Sequence, residues 1–102
     1  MKSCLFLAVL SILILGGVPG PPVVMATGGW LTLAPLPEPR QEVAVAALGG
    51  KVYVIGGIRE DRSTADTVEA YDPATNRWQR VSPLPLPLHH TAAAAVQGKL
   101  YV

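Results

Sequence analysis

The sequence predicts an all-β fold assembled from repeated four-stranded antiparallel sheets, and three observations carry that prediction. The chain repeats itself at one fixed offset of 48 residues. Trp30 returns as Trp78, Pro35-Leu36-Pro37 as Pro83-Leu84-Pro85, and Tyr53-Val54 as Tyr101-Val102. Residues 30–54 laid on 78–102 give 12 identities in 25 positions without a gap. Short β-type runs alternate with turn signals, and in the complete period a Gly-Gly pair joins the first two runs. A period near 50 residues marks an array of supersecondary units, none of which buries its apolar faces alone.

The first 26 residues read as an export signal rather than as part of the fold. Met1-Lys2 gives a positive start, Cys4 to Leu15 an apolar core interrupted by Ser11, and Gly16 to Ala26 a Gly/Pro-rich exit. Val24-Met25-Ala26 suits signal peptidase, so cleavage is expected before Thr27. Pro19, Pro21 and Pro22 stop the helix short of the length a membrane span needs, so no stable span is expected. The expected location is secreted or periplasmic.

Residues 27–39 follow as a strand and a link. The repeat register aligns Trp30 to Leu33 with Trp78 to Val81, which predicts the fourth, outermost strand of an incomplete sheet. The complete repeat is expected over residues 40–87. Glu42 to Leu48 is its first strand and Lys51 to Ile55 its second, joined across Gly49-Gly50, where glycine supplies the positive φ of a tight hairpin. Gly56-Gly57 ends the second strand, and a polar link runs from Ile58 to Asp66. Thr67 to Tyr71 is the third strand. Asp72-Pro73-Ala74-Thr75-Asn76 is a turn with proline at its second position. Arg77 to Val81 is the fourth strand, and Ser82 to Leu88 is a proline-rich link.

Residues 88–102 are the truncated start of the next repeat. Its run Thr91 to Val96 is almost all alanine, the best helix former. Its partner Val43 to Leu48 is more β-like, and both copies pass through Gly-Lys into an aromatic strand, so a strand is expected here too. Four strands per period, tight turns alternating with long links, is the blade of a β-propeller.

Composition narrows the function. Lys2 is the only charge in the leader, so 7 of the 8 basic residues stand downstream against 7 acidic ones. A neutral body without a basic run argues against nucleic acid or an anionic membrane as partner. The only cysteine is Cys4, which leaves residues 27–102 without a disulfide. So short a segment buries too little surface to be stable by itself, and the chain is expected to be a piece of a longer array.

The succession Gly-Lys-Val-Tyr-Val-Ile-Gly-Gly, a polar loop, Val-Glu-Ala-Tyr-Asp-Pro-Ala-Thr-Asn-Arg-Trp and Pro-Leu-Pro closely resembles a kelch repeat. The family's double glycine is Gly56-Gly57 here, and its spaced aromatic pair is Tyr71 and Trp78. The resemblance covers residues 30–102 and implies a kelch-type β-propeller, one blade per repeat. Two departures stand out. The arginine that often precedes the first strand is Arg40 in the first copy and Leu88 in the second. The second copy also breaks off before its own double glycine. In a closed ring, Trp30 to Leu33 is expected to complete the last blade, whose first three strands come from the far end of the protein.

The resemblance implies an exported module that holds a protein or carbohydrate ligand on its loops. The candidate contact loop is Arg59, Glu60, Asp61 and Arg62, the most charged stretch. His89-His90 invites a metal reading, but neighbours on an extended segment point to opposite sides, and a loop role is preferred. Trp30 and Trp78 share one repeat position and are expected to pack in the core. No nucleophile–base pair, phosphate cradle or paired-carboxylate site is present, so neither enzyme chemistry nor a cofactor is expected within this segment. The alternative is an exported propeller enzyme, similar to a galactose-oxidase-like copper oxidase or a sialic-acid mutarotase. Its catalytic residues would lie beyond residue 102.

Overall fold

A computed structural model describes residues 28–102. The export segment and the cleavage point before Thr27 lie outside the described residues. Contacts divide the chain after Trp30, and every strand named below lies in Leu31–Val102.

The centre of the structure is a four-stranded antiparallel sheet in the order β2-β3-β5-β6, formed by Ala44–Leu48, Lys51–Ile55, Val68–Asp72 and Arg77–Arg80. Leu48 pairs with Lys51, so Gly49 and Gly50 alone form the loop, with φ of 58° and 75°. Two left-handed residues in succession define a type I′ turn, whose twist matches that of the strands. The second repeat builds the same hairpin from β7 (Ala94–Val96) and β8 (Lys99–Tyr101). There Gln97 (φ 48°) takes the place of Gly49. Strand geometry therefore prevails over the helix propensity of the alanine run. Small side chains fit where β7 and β8 pack beside β2.

At the outer end, the Asp72 side chain accepts the Ala74 amide at 2.9 Å and Asn76 closes the turn at φ 51°. Asparagine tolerates this conformation, which is why the β5–β6 turn needs no glycine.

The register puts Ala44, Ile55 and Val68 side by side on one face, where they form the buried core. Leu84 from the following link and Leu100 from the second repeat pack against them. Part of the first sheet's core is thus supplied by its successor.

Trp30 is exposed, and among the described residues no strand lies beside Trp30 to Leu33, the run expected to complete a sheet whose other strands come from elsewhere in the protein. One expectation needs correction. The first strand begins at Ala44 rather than Glu42, because Glu42 adopts a left-handed backbone (φ 54°) that breaks the extended run.

Candidate functional site

The long link after Gly57 folds back on the chain that enters the repeat. β4 (Ile58–Arg59) pairs antiparallel with β1 (Arg40–Gln41), a pairing not foreseen in the sequence because each partner is only two residues long. The Arg59 amide donates to the Ser63 carbonyl at 2.9 Å, so residues 60–62 form a three-residue loop, with Arg62 left-handed at φ 70°. The Asp61 carboxylate accepts both the amide (2.9 Å) and the hydroxyl (2.6 Å) of Ser63. These bonds hold the Asp61 carboxyl below its ordinary range.

Arg40 anchors the link from beneath. Its side chain is fully buried and donates to Glu69 at 3.1 Å and to Glu38 at 3.2 Å. Glu69 is itself 2% exposed, on a sheet face where an unpaired carboxylate would be costly. Arg40 also donates to the Thr67 carbonyl at 3.3 Å, while its Nε is buried without a partner.

Glu38, not singled out in the sequence, is the hub above it. Arg59 Nε donates to it at 2.7 Å, and Arg80 approaches within 3.9 Å. The Arg59 hydrogen bond, with further attraction from Arg59 and Arg40, holds the Glu38 carboxyl below the usual carboxylate range. The same bond raises Arg59. Lowered carboxyl values favour the folded chain above the ordinary carboxylate range, and that contribution is lost as the pH falls through the lowered values.

The four residues of the candidate loop therefore divide. Arg59 is tied to Glu38, Thr64 and Thr67, and Asp61 caps its own turn. Glu60 and Arg62 have no ion-pair partner among the described residues. Both line an open cleft of about 410 Å³, together with the committed Arg40 and Arg59 and with Pro39, Gln41 and Ile58.

The four motif residues serve packing. A Cβ on Gly56 would meet the carbonyl of Leu88, and one on Gly57 would lie 2.6 Å from the Gln41 carbonyl oxygen. The Gly57 amide donates to Leu88 at 2.8 Å, so the double glycine is where the next repeat's entering chain is seated. Tyr71 and Trp78 pack with centroids 5.1 Å apart. Trp78 is only partly buried, and its Nε1 donates to the Ala34 carbonyl at 2.9 Å. Asn76 accepts the Ala34 amide at 2.8 Å, so both backbone groups of Ala34 are held.

His89 and His90 differ from expectation. Their rings meet edge-on with centroids 4.7 Å apart rather than pointing to opposite sides. The reason is the left-handed backbone of His90 (φ 54°), which turns its side chain out of the extended alternation.

Residues 39–85 match the kelch motif. The chain is 46% identical over 44 residues to mouse Kelch-like protein 35, covering 43% of this chain and 8% of that protein. It is 51% identical over 43 residues to human Kelch-like protein 4, covering 42% of this chain and 6% of that protein. It is also 38% identical over 57 residues to N-acetylneuraminate epimerase of Yersinia enterocolitica, covering 49% of this chain and 14% of the enzyme. The solved structure of YjhT superposes with a TM-score of 0.63 at 31% identity, covering 71% of this chain and 23% of that one. The chain thus spans a small part of the relatives it matches. The motif match over residues 39–85, the fold shared with YjhT and the double glycine seated against the next repeat together identify a kelch repeat in this chain.

Proposed function

We propose that this chain is part of an exported kelch propeller that binds a protein or glycan ligand through its rim. Residues 40–87 form one four-stranded blade, with residues 27–39 and 88–102 belonging to the blades on either side. The observation that carries the binding reading is the division of the charged loop. Arg59 and Asp61 are committed to holding it, while Glu60 and Arg62 stand over the cleft without ion-pair partners. A fixed loop presenting uncommitted charges loses little freedom when a ligand arrives.

One experiment tests both parts. Full-length protein collected outside the producing cells should begin near Thr27, and a Met1 start with membrane retention would contradict export by cleavage. The same material is screened on a glycan array and a displayed peptide library, and the best ligand is titrated. Arg62→Ala should weaken that ligand about tenfold, or about 1.4 kcal/mol, with an unchanged unfolding midpoint. Undiminished affinity in a double Glu60→Ala/Arg62→Ala variant would rule out the rim cleft.

A second reading has a specific observation behind it, the similarity to N-acetylneuraminate epimerase. In that reading the segment is scaffold and the catalytic residues lie beyond residue 102. Turnover of N-acetylneuraminate by the full-length protein, unaffected by the rim variants, would favour it.

A further inference from the structure

The loop that carries Glu60 and Arg62 is held by two carboxylates. At its base, Glu38 accepts from Arg59 Nε at 2.7 Å and from Arg40 at 3.2 Å, with Arg80 at 3.9 Å. At its tip, Asp61 accepts both the amide and the hydroxyl of Ser63. The Glu38 side chain is 26% exposed and Asp61 lies on the surface, so a proton reaches either one without unfolding.

The charges around Glu38 form a closed set. Arg40 comes from β1, Arg59 from β4 and Arg80 from β6. Behind them, Glu69 of β5 faces Arg40 at 3.1 Å and Asp66 faces Arg59 at 3.7 Å. Three guanidiniums thus meet three carboxylates, and a proton on Glu38 leaves one positive charge in excess. The loss falls unequally. Arg40 keeps Glu69, the buried partner beneath it. Arg59 loses its shortest contact and retains only Asp66, the Thr64 carbonyl and the Thr67 hydroxyl. The weakening therefore falls on the two-residue pairing of β1 with β4, which has little stability of its own.

We infer that the rim loop is an acid-released latch, closed while Glu38 and Asp61 are ionised and opened by their protonation, so that a ligand held by Glu60 and Arg62 is let go in an acid medium. The release of ligand rests on the rim-binding reading, whereas the latch rests on the contacts of Glu38 and Asp61. The direction follows from the two carboxyls. Both sit below their ordinary range, Glu38 chiefly through the Arg59 hydrogen bond and Asp61 chiefly through Ser63. Contacts that need their charge are intact above the ordinary carboxylate range and fail as the pH falls through the lowered values. A local change of charge acting on a lightly held segment is the usual form of such a switch.

Two measurements on the full-length protein test the latch without any ligand. In the first, amide exchange is followed from about pH 6 to about pH 3, each rate being compared with that of an unfolded peptide at the same pH. The Arg59 and Arg62 amides donate to the Ser63 and Arg59 carbonyls. Their protection should fall by about tenfold or more while β3 and β5 keep theirs. In the second, trypsin at neutral pH probes Glu38→Gln, which lacks the charge at every pH. Cleavage after Arg62 should be about tenfold faster than in the unaltered protein, because it tracks the population of the open loop. Glu42 meets His90 rather than an arginine, so Glu42→Gln should stay within about twofold of the unaltered rate. Protection kept throughout the acid range, or lost together with β3 and β5, would overturn the latch. Cleavage of Glu38→Gln at the unaltered rate would overturn it as well. Release in both measurements, in a protein whose ligands ignore Arg62→Ala, would uphold the latch and remove the rim ligand instead.

Discussion

Gly57→Val should destabilise the full-length protein by about 2–5 kcal/mol, combining left-handed backbone strain with overpacking. At Gly57 the backbone φ is +101°, and an added Cβ would lie 2.6 Å from both the Gln41 carbonyl oxygen and Val43 Cγ1. Neither neighbour can yield easily. Gln41 is paired in β1, and Val43 leads directly into β2. Gly49 provides the control, because its φ is +58° and nothing lies within 4 Å of an added Cβ. Gly49→Ala should therefore cost only the backbone strain, about 1–2 kcal/mol. Denaturant unfolding of both variants separates strain from collision. Equal losses would remove the steric account. Retained stability with lost ligand binding would make Gly57 a binding residue instead.

Arg40→Leu should be comparably damaging, at about 3–5 kcal/mol, because it leaves a buried carboxylate without its partner. The Glu69 side chain is 3% exposed and that of Arg40 is 0% exposed. Leucine is also what the second repeat carries at this place, as Leu88. The substitution is thus acceptable to the backbone and harmful chiefly through Glu69, the most buried of the partners Arg40 leaves. The double variant Arg40→Leu/Glu69→Val should recover most of the loss, since well-packed apolar side chains often replace a buried pair without penalty. A double variant as unstable as the single one would place the loss elsewhere, in the contacts Arg40 makes with the Thr67 and Val54 carbonyls.

These two positions also show what the sequence could and could not reveal. The hairpin at Gly49-Gly50 was legible because two-residue loops demand positive φ and glycine meets that demand most readily. The same turn recurs with Gln97 in the first position, and only the repeat register made it readable there. Of the run Thr91 to Val96, Ala94–Val96 forms the strand that its place in the repeat, not its propensity, predicted. Arg40 was recognisable by position, yet its burial was not, because its partner Glu69 lies 29 residues away and meets it only once β5 is in the sheet.

Glu38 went unnoticed for the same reason. A single acid in a proline-rich link carries no local pattern, and its three arginine neighbours come from β1, β4 and β6. Within the candidate loop, four charges looked alike in sequence. Only the folding of β4 onto β1 separates the two that hold the loop, Arg59 and Asp61, from the two without an ion-pair partner among the described residues, Glu60 and Arg62. The strands that Trp30 to Leu33 is expected to join are not among the described residues.

The central claim is that successive repeats complete each other's core, and amide hydrogen exchange on the full-length protein tests it most directly. Leu100 of the second repeat packs against the Ala44, Ile55 and Val68 cluster of the first. Leu100→Ala removes part of that cover without touching any residue of the first sheet. Protection of the amides in β3 and β5 should then fall at least tenfold, as expected when stability in an array is shared between neighbours. Protection in β3 and β5 that stays at its original level, while β8 alone becomes exchangeable, would contradict the account and make the first sheet a self-sufficient unit.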